Sequence, residues 1–250
     1  MKDQIKELET PCTICKQIGE ELKKEIKGNE DEKKEIIKKK DYISEIISAS
    51  LERKKDDLGR KRAINCGISE AFLHMFTTQP LETISYENIW GFLVQTYPCS
   101  DEVKQLLFQL KPYPALIHLF DHSDIYVVEN SITSIQNILL CGYKSDNTPE
   151  QHDHFDTMIE IDGIKMIFDL FKRNVSKLSK GRAAICLGQL YKAREITNLE
   201  MKQSLIAHLK TLINDTDEWT KNAAKRSLRF LAYNAVNKAE IEKDGFKIPE

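Results

Sequence analysis

A short apolar pattern recurs four times in the chain at nearly constant intervals, and this repetition limits the fold more than any other sequence feature. The segment Phe72–Phe76 matches Leu116–Phe120 at an interval of 44 residues, and related segments follow at Ile167–Phe171 and Leu209–Ile213. Each segment precedes a polar turn and a second helical pattern. A period of about 42–44 residues with two helices per unit is typical of stacked helical repeats. A non-repetitive helical bundle with chance self-similarity is the alternative.

The second helical pattern of each unit carries a stripe that we expect to be buried. Three positions spaced at i, i+4 and i+7 align between units and lie on one helix face. Small residues at the first position would let neighbouring helices approach closely. Polar residues and a proline within Tyr143–His154 indicate a loop insertion, which explains the one longer interval. The stripe consists of Ser131, Ile135 and Ile138, then Ala183, Leu187 and Leu190, then Ala224, Leu228 and Leu231.

Composition favours helices and gives no sign of a membrane span. Glycine and proline together are 17 of 250 residues, about 7% against an average near 12%. The longest apolar run, Ala183–Leu187, is five residues and cannot cross a bilayer. The start, Met1–Gln4, lacks the apolar region of a signal peptide. We therefore expect a cytoplasmic protein with no membrane span, and a nuclear location stays open.

Residues 1–62 differ in composition from the rest of the chain. The first 60 residues carry 15 basic and 15 acidic side chains, and apolar residues such as Ile43 and Ile47 recur at helical spacing. Gly28–Asp31 predicts a break between two helices. The pattern predicts a charged helical segment at 1–62 that leans on a repeat domain at 63–250 or is partly mobile. A coiled-coil contact and disorder are the alternatives.

The six cysteines favour reduced thiols over a disulfide framework, because the chain is long and most of them are spaced irregularly. Cys12 and Cys15 are the one close pair. A structural zinc site needs four ligands, and no second pair follows at the required distance. A redox pair would start a helix after a strand, which the sequence does not predict. We expect an incidental or structural pair and no cofactor, with metal and redox roles as alternatives.

Three sets of segments share one more pattern. They are Pro114–Phe120 with Glu129–Ile132 and Gln136–Ile138, Asp162–Ile164 with Arg182–Ala184 and Leu187–Leu190, and Ala239–Phe246. The first two sets resemble armadillo repeats, and the third resembles the lead-in to another such unit. The resemblance covers roughly 65–245 and implies an all-α, right-handed α-solenoid of about four armadillo-like repeats behind the charged helical N-terminal segment. It concerns architecture and identifies no particular member of the armadillo/HEAT-like family.

The resemblance also implies where a partner would bind. In armadillo proteins the third helix of each unit lines a concave groove that holds extended peptides, and nuclear-import members carry a Trp-x-x-x-Asn ladder there. Only Asn137 matches that ladder at the corresponding positions, so we do not predict binding of basic localisation peptides. The expected partner-binding residues are Asn130, Thr133, Asn137, Arg182, Gln189, Arg226 and Arg229.

Charge suggests the kind of partner. Residues 171–194 hold seven basic residues and no acid, and 219–229 hold four more basic residues. If the units stack, these bases form a strip suited to an acidic peptide, a phosphorylated segment or a nucleic-acid backbone. Solvated helix faces are the alternative explanation of such charge runs.

We therefore expect a non-catalytic scaffold or adaptor that binds a protein or peptide partner. A co-chaperone-like repeat that grips a folded partner such as Hsp70 is the alternative, and an RNA-binding protein is less favoured. The sequence contains no phosphate-binding loop and no nucleophile elbow. We expect a solvated loop at His152–His154, and a metal site formed by His152, Asp153 and His154 with Asp156 is the alternative.

Overall fold

The computed structural model describes residues 13–142 and 147–249, and every regular element within these ranges is helical. The chain divides into two compact units, Met1–Ile138 and Leu139–Glu250. No helix in the described part of the chain is long and apolar enough to cross a membrane. Cys12 lies outside the described residues, as do Tyr143–Asp146 of the predicted loop insertion.

Unit 1 contains eight helices within its described residues. Short 3-10 turns at Leu81–Thr83 and Leu119–Asp121 follow the fourth and seventh of them. The helices are α1 (Thr13–Lys23), α2 (Glu30–Leu51), α3 (Asp57–Asn65), α4 (Ile68–Thr78), α5 (Tyr86–Thr96), α6 (Asp101–Gln109), α7 (Tyr113–His118) and α8 (Ile125–Leu139), whose last residue lies at the unit boundary.

Unit 2 contains six helices within its described residues and ends in a 3-10 turn at Lys243–Gly245. The helices are α9 (Phe155–Glu160), α10 (Gly163–Arg173), α11 (Lys177–Leu190), α12 (Leu199–Leu212), α13 (Glu218–Ala232) and α14 (Ala235–Ile241).

The helices follow the repeat seen in the sequence. The four recurring apolar segments lie in α4, in α7 with its 3-10 turn, in α10 and in α12. The helix after each of them is α5, α8, α11 or α13, and we call these four the third helices. All nine stripe residues on α8, α11 and α13 are completely buried. The predicted stripe is therefore the part of each third helix that faces the core.

Polar side chains at the predicted turns start the third helices. The Asp217 carboxylate accepts the backbone N–H of Thr220 at 2.8 Å and caps α13. Ser176 caps α11 through a capping box with Ser179. Capping satisfies backbone amides that a helix start leaves without partners. The sequence thus sets where the third helices begin, and so which residues face outward.

Two glycines let third helices approach their neighbours closely. A Cβ atom added to Gly188 of α11 would lie 2.6 Å from the Cβ of Ser227 on α13. A Cβ added to Gly91 of α5 would lie 2.9 Å from the Phe72 ring and 3.2 Å from Ser44 on α2. The 2.6 Å and 2.9 Å distances are shorter than packed carbon atoms tolerate. A side chain at either glycine would therefore force its neighbours to move.

The charged N-terminal helices pack on the repeat helices of unit 1. Helix α1 packs against α4, and α2 packs against α5. The Asp41 carboxylate on α2 accepts hydrogen bonds from the Ser85 hydroxyl at 2.6 Å and the Asn88 amide at 3.0 Å. Asn29 caps α2 at the predicted break between the two helices. The domain boundary at residue 62 stays a prediction.

The segment before α12 contains turns but no helix. Asn237 of α14 is fully buried, and its side chain spans the loop. Its amide Nδ2 donates to the Arg194 carbonyl at 2.8 Å, and its Oδ1 accepts the Ile196 backbone N–H at 3.1 Å. The Ala193 backbone N–H donates to the Phe230 carbonyl at 3.1 Å. Side-chain and backbone hydrogen bonds therefore hold a segment that has no regular structure.

Candidate functional site

The expected contact residues of unit 1 all lie on α8, and two of them have structural partners. Asn137 is 8% exposed, and its amide Nδ2 donates to the Thr96 hydroxyl on α5 at 2.9 Å. The Thr133 hydroxyl donates to the Glu129 carbonyl one turn earlier at 2.7 Å. Asn130 is half-buried. Asn137 therefore ties two third helices together, whereas Asn130 keeps surface for a partner.

The expected contact residues of unit 2 lie on α11 and α13. Arg182 stacks on the Trp219 ring, with its guanidinium carbon 3.7 Å from the ring centroid, and so links the two helices. Gln189 has no exposed surface, and within residues 13–142 and 147–249 neither polar atom of its amide has a hydrogen-bond partner. Arg226 and Arg229 are half-buried on α13. Of these four residues, the three arginines present surface to solvent.

Basic residues dominate the third helices of unit 2, and we call these residues the basic face. Lys177 pairs with Asp215 at 2.8 Å, and Lys221 pairs with Glu218, the one acid on these two helices, at 2.7 Å. Lys225 makes no ion pair with any described residue, and the same holds for Arg229. The face therefore keeps positive charge that its own fold does not neutralise. Its members are Lys177, Lys180 and Arg182 on α11 and Lys221, Lys225, Arg226 and Arg229 on α13.

A shallow cavity opens between the starts of α11 and α13. Its volume is about 250 Å³, and Arg182 and Lys177 line it beside two aspartates that start or precede α13. Because the charges are mixed, the cavity selects for neither sign of ligand. The remaining lining residues are Leu178, Gly181, Leu212, Asp215, Asp217 and Thr220.

The third helices of unit 1 have the opposite charge. Helices α5 and α8 each contain one acid, Glu87 and Glu129, and no basic residue. The stretch of α2 that follows Lys40 adds Asp41 and Glu45, again without a base. The two units therefore present third helices of different polarity.

Exposed aromatic side chains accompany these acids, and sequence analysis did not find them. Tyr42 on α2 is 63% exposed and Tyr126 on α8 is 61% exposed. Tyr86 is 38% exposed on α5, one turn before the half-buried Trp90. The spacing Tyr86-x-x-x-Trp90 could have revealed the cluster. We call Tyr42, Tyr86, Trp90 and Tyr126 the aromatic face.

The histidines considered as metal ligands are buried, so the expected solvated loop is wrong for both. His152 is 2% and His154 is 1% exposed. Nδ1 of His152 accepts the His154 backbone N–H at 3.1 Å, which leaves Nε2 to donate to the Leu139 carbonyl at 3.0 Å. Burial lowers the pKa of His152 to about 3 and that of His154 to about 4, so both rings are neutral at pH 7.

Metal-ligating groups and cysteine thiols are two further kinds of candidate site. Residues 13–142 and 147–249 contain no group of three or more histidines, cysteines or acids that could hold a metal ion. Burial raises the pKa of the Cys99 thiol to about 11 and raises that of Cys186 further above its usual value. Both thiols stay protonated and poorly nucleophilic at neutral pH.

Comparison with known proteins identifies the architecture. No family model and no curated protein matches the chain significantly. Solved structures do: a computationally designed armadillo repeat protein for modular peptide recognition is 18% identical, with a TM-score of 0.61 over 92% of this chain and 88% of that one. A designed armadillo repeat protein in complex with the peptide (KR)4 is 17% identical, with a TM-score of 0.59 over 92% of this chain and 87% of that one.

An engineered protein shows the same likeness, with 14% identity and a TM-score of 0.62 over 92% of this chain and 84% of that one. In each of these comparisons the likeness covers 92% of this chain. It confirms the predicted all-α architecture of armadillo-like helical repeats. At these identities it concerns the fold, and function must be argued from this chain's own surfaces.

Proposed function

We propose that this chain, whose fold is an armadillo-like helical repeat, is a non-catalytic scaffold that binds a segment of a partner protein. The basic face of unit 2 would take an acidic segment. The observation that carries the proposal is the unneutralised charge of Lys225 and Arg229 on one third helix. Stacked repeats offer extended surfaces suited to peptides, and one structure of similar fold was designed for modular peptide recognition.

The contacts available on the basic face suit carboxylates. Arg229 offers a planar guanidinium, which can hold a carboxylate through two hydrogen bonds. Lys225 adds a second charge one helical turn earlier. Arg226 on the same helix would add a contact, as would Arg182 on α11, which Trp219 already orients. Asn130, Thr133 and Asn137 of unit 1 stay proposed contacts, as does Gln189.

Charge reversal at the basic face tests the proposal. The full chain is titrated into a short fluorescent peptide of alternating glycine and glutamate at low ionic strength, and anisotropy reports binding. The double variant Lys225→Glu and Arg229→Glu should weaken binding by about tenfold or more, because like charges would face the peptide.

The matched control carries the same change in net charge elsewhere. Lys165 on α10 and Lys247 near the C-terminus are both exposed and make no ion pair with a described residue. The double variant Lys165→Glu and Lys247→Glu should bind the peptide nearly as well as the original chain. Equal losses in both variants would show attraction by net charge alone and would contradict a site on α13.

Nucleic acid is the competing ligand for a basic surface. Single-stranded RNA of the same charge should bind more weakly than the peptide and without dependence on Arg229. If RNA binds more tightly, with an affinity that falls steeply as salt rises, counterion release from phosphates explains the basic face better.

A further inference from the structure

A thiol and an imidazole of unit 2 lie side by side at a place that the proposed function does not use. The Cys141 sulfur is 3.9 Å from Nε2 of the His154 ring. Cys141 is half-buried, whereas His154 is 1% exposed. The pair therefore lies at the border between the surface and the core, where a small ion from solvent can reach it.

Hydrogen bonds hold the segment around His154 against the residues that follow α8. The Asp153 backbone N–H donates to the Gly142 carbonyl at 2.7 Å. Nε2 of His152 donates to the Leu139 carbonyl at 3.0 Å, and Nδ1 of the same ring accepts the His154 backbone N–H at 3.1 Å. The fold itself therefore brings the sulfur and the imidazole together, as a preorganised pair of ligands requires.

Gly142 permits this close approach. A Cβ atom added to Gly142 would overlap Cε1 of the His152 ring and would lie 2.7 Å from its Nδ1. Packed atoms do not tolerate such distances. A larger residue would therefore push the His152 ring away, and with it the His154 backbone that the ring holds.

The His154 ring is in the protonation state that a metal ion needs. Burial lowers the pKa of His154 to about 4, so the imidazole is neutral at pH 7. A metal ion binds a nitrogen lone pair, and a ring that resists protonation keeps that lone pair available. Thiolate sulfur and neutral imidazole nitrogen are both ligands of copper and zinc.

Distance and charge favour a monovalent ion with two ligands. Bonds from metal ions to nitrogen and sulfur are about 2.0–2.3 Å long, so two ligands on opposite sides of one ion are about 4 Å apart. The observed 3.9 Å is close to that spacing. One thiolate cancels the charge of Cu⁺, whereas Zn²⁺ would leave a positive charge in a partly buried site. The fully buried Lys192, whose charge acts on the neighbouring His152, adds to that cost.

We propose that Cys141 and His154 bind Cu⁺ between the thiolate sulfur and the imidazole Nε2. On binding, the ion replaces the thiol proton, which is released to solvent. Copper stays in the Cu⁺ state throughout, so the step needs no oxidant and no reductant. The site contains no residue of the basic face, so this proposal and the proposed function stand or fall separately.

Anaerobic titration with Cu⁺ tests the proposal, with the coloured chelator bicinchoninate as competitor. Neighbouring thiols also attract Cu⁺, so the full chain used for the titration carries Cys12→Ser and Cys15→Ser. We call it the double-serine chain, and it should take up one Cu⁺. Adding Cys141→Ser should abolish this uptake. Adding His154→Gln should weaken it by about a hundredfold or more, since even the loss of an outer partner of a ligand costs tenfold to a hundredfold.

Matched substitutions separate ligand loss from other effects. Cys66→Ser removes another half-buried thiol, and His118→Gln removes an exposed imidazole. Neither should change the affinity for Cu⁺. Gly142→Ala should weaken binding although it removes no ligand, because it displaces the His152 ring. Circular dichroism melting curves establish that each variant is folded, and His154→Phe, which keeps a ring, replaces His154→Gln if that variant is unfolded.

The ligands can also be observed directly. X-ray absorption at the copper edge of the loaded chain should show one sulfur and one nitrogen ligand, at distances of about 2.0–2.3 Å. Zn²⁺ offered in place of Cu⁺ should bind about a hundredfold more weakly or worse, because its second charge stays uncompensated.

Three results would overturn the proposal. They are absence of Cu⁺ uptake by the double-serine chain, undiminished uptake after loss of either ligand, and an absorption spectrum with sulfur ligands and no nitrogen. The variant Lys225→Glu with Arg229→Glu separates the two proposals, because it should lose the acidic peptide and still bind Cu⁺.

Discussion

The Arg60 guanidinium is bound to the Val94 carbonyl oxygen through two of its nitrogens, with Nε at 3.1 Å and Nη2 at 2.9 Å. Arg60 is completely buried, and the same group also donates to the carbonyls of Leu51, Lys54 and Asp56. One side chain on α3 therefore joins the end of α2, the following loop and helix α5. It attaches the charged N-terminal helices to the repeat.

Replacing Arg60 should loosen this part of unit 1. Arg60→Met keeps an apolar stem but leaves buried carbonyls without donors, so we expect a loss of about 2–4 kcal/mol in unfolding free energy. A lower thermal midpoint, followed by circular dichroism, would report it. Arg62→Met, an exposed arginine on the same helix, should leave the midpoint nearly unchanged. An equal midpoint for both variants would mean that Arg60 does not anchor these helices.

Two glycines on α11 should respond oppositely to alanine. Gly188→Ala should destabilise the protein by about 1–3 kcal/mol, because the new methyl group would collide with Ser227. Gly181→Ala should stabilise it by up to about 1 kcal/mol, because its Cβ would lie 3.8 Å from Leu212 and alanine is the better helix former. Chemical denaturation measures both. Ser227→Gly should restore part of the stability lost in Gly188→Ala; if it does not, the close approach is not the cause.

The buried amine of Lys40 should lower stability at neutral pH. Its side chain is 2% exposed, its Nζ has no hydrogen-bond partner among the residues that the structure describes, and desolvation lowers its pKa to about 8. Because the unfolded chain holds this proton up to about pH 10.4, stability should rise as the pH increases from 8 to 10. Lys40→Met should remove a cost of about 3 kcal/mol at pH 7.

Unfolding curves at pH 7 and pH 9.5 check this prediction. The gain from Lys40→Met should be largest at pH 7 and shrink at the higher pH. Lys38→Met, an exposed neighbour on α2, is the control and should behave like the original chain. A gain that is equal at both pH values would reflect apolar packing and not the relief of a buried charge.

Acid should destabilise unit 2 through its buried histidines. The folded pKa values near 3 and 4 lie below the unfolded value near 6.5, so the unfolded state binds more protons in the interval between them. The contribution of the two neutral rings to the unfolding free energy is therefore fully present above about pH 6.5 and is lost as the pH drops toward 4. At pH 5 the loss is about 2 kcal/mol for each ring.

Removing one imidazole should reduce that acid sensitivity. His154→Phe keeps a ring of similar shape and should make the fall in stability between pH 7 and pH 5 about half as steep. His118→Gln, at an exposed position, should leave the pH dependence unchanged. Thermal midpoints across this pH interval provide the measurement, and an unaltered slope in His154→Phe would exclude His154 as its source.

The repeat could be predicted because apolar and small residues recur at helical spacing within each unit. Positions such as Ser131, Ala183 and Ala224 recur on the same face of each third helix, and that face is buried. Burial of the histidines was not predictable in this way. His152 and His154 belong to a segment with no period. The His152 ring is bonded to the Leu139 carbonyl, and the His154 backbone N–H is bonded to the His152 ring.

The expected contact residues include both exposed and enclosed side chains, and they stay predictions. Asn137 and Gln189 were selected at aligned positions, yet a shift of one residue turns a side chain by about 100° around the helix and so decides whether it faces solvent or a neighbouring helix. Gln189 is enclosed, while Tyr126 and Asn130, with an aromatic-x-x-x-Asn spacing, lie earlier on α8 and keep exposed surface. That choice depends on where the helix starts and how its neighbours pack, which the apolar pattern does not specify.

Asn237 should make one backbone amide in the loop before α12 resistant to hydrogen exchange, although the loop has no regular structure. The Ile196 backbone amide is bonded to Oδ1 of a fully buried side chain, and Ile196 itself is completely buried. Its hydrogen should therefore exchange with deuterated solvent as slowly as hydrogens within α13, since both need the core to open. Proteolysis at Ile196 should be slow for the same reason, although this segment has no regular structure.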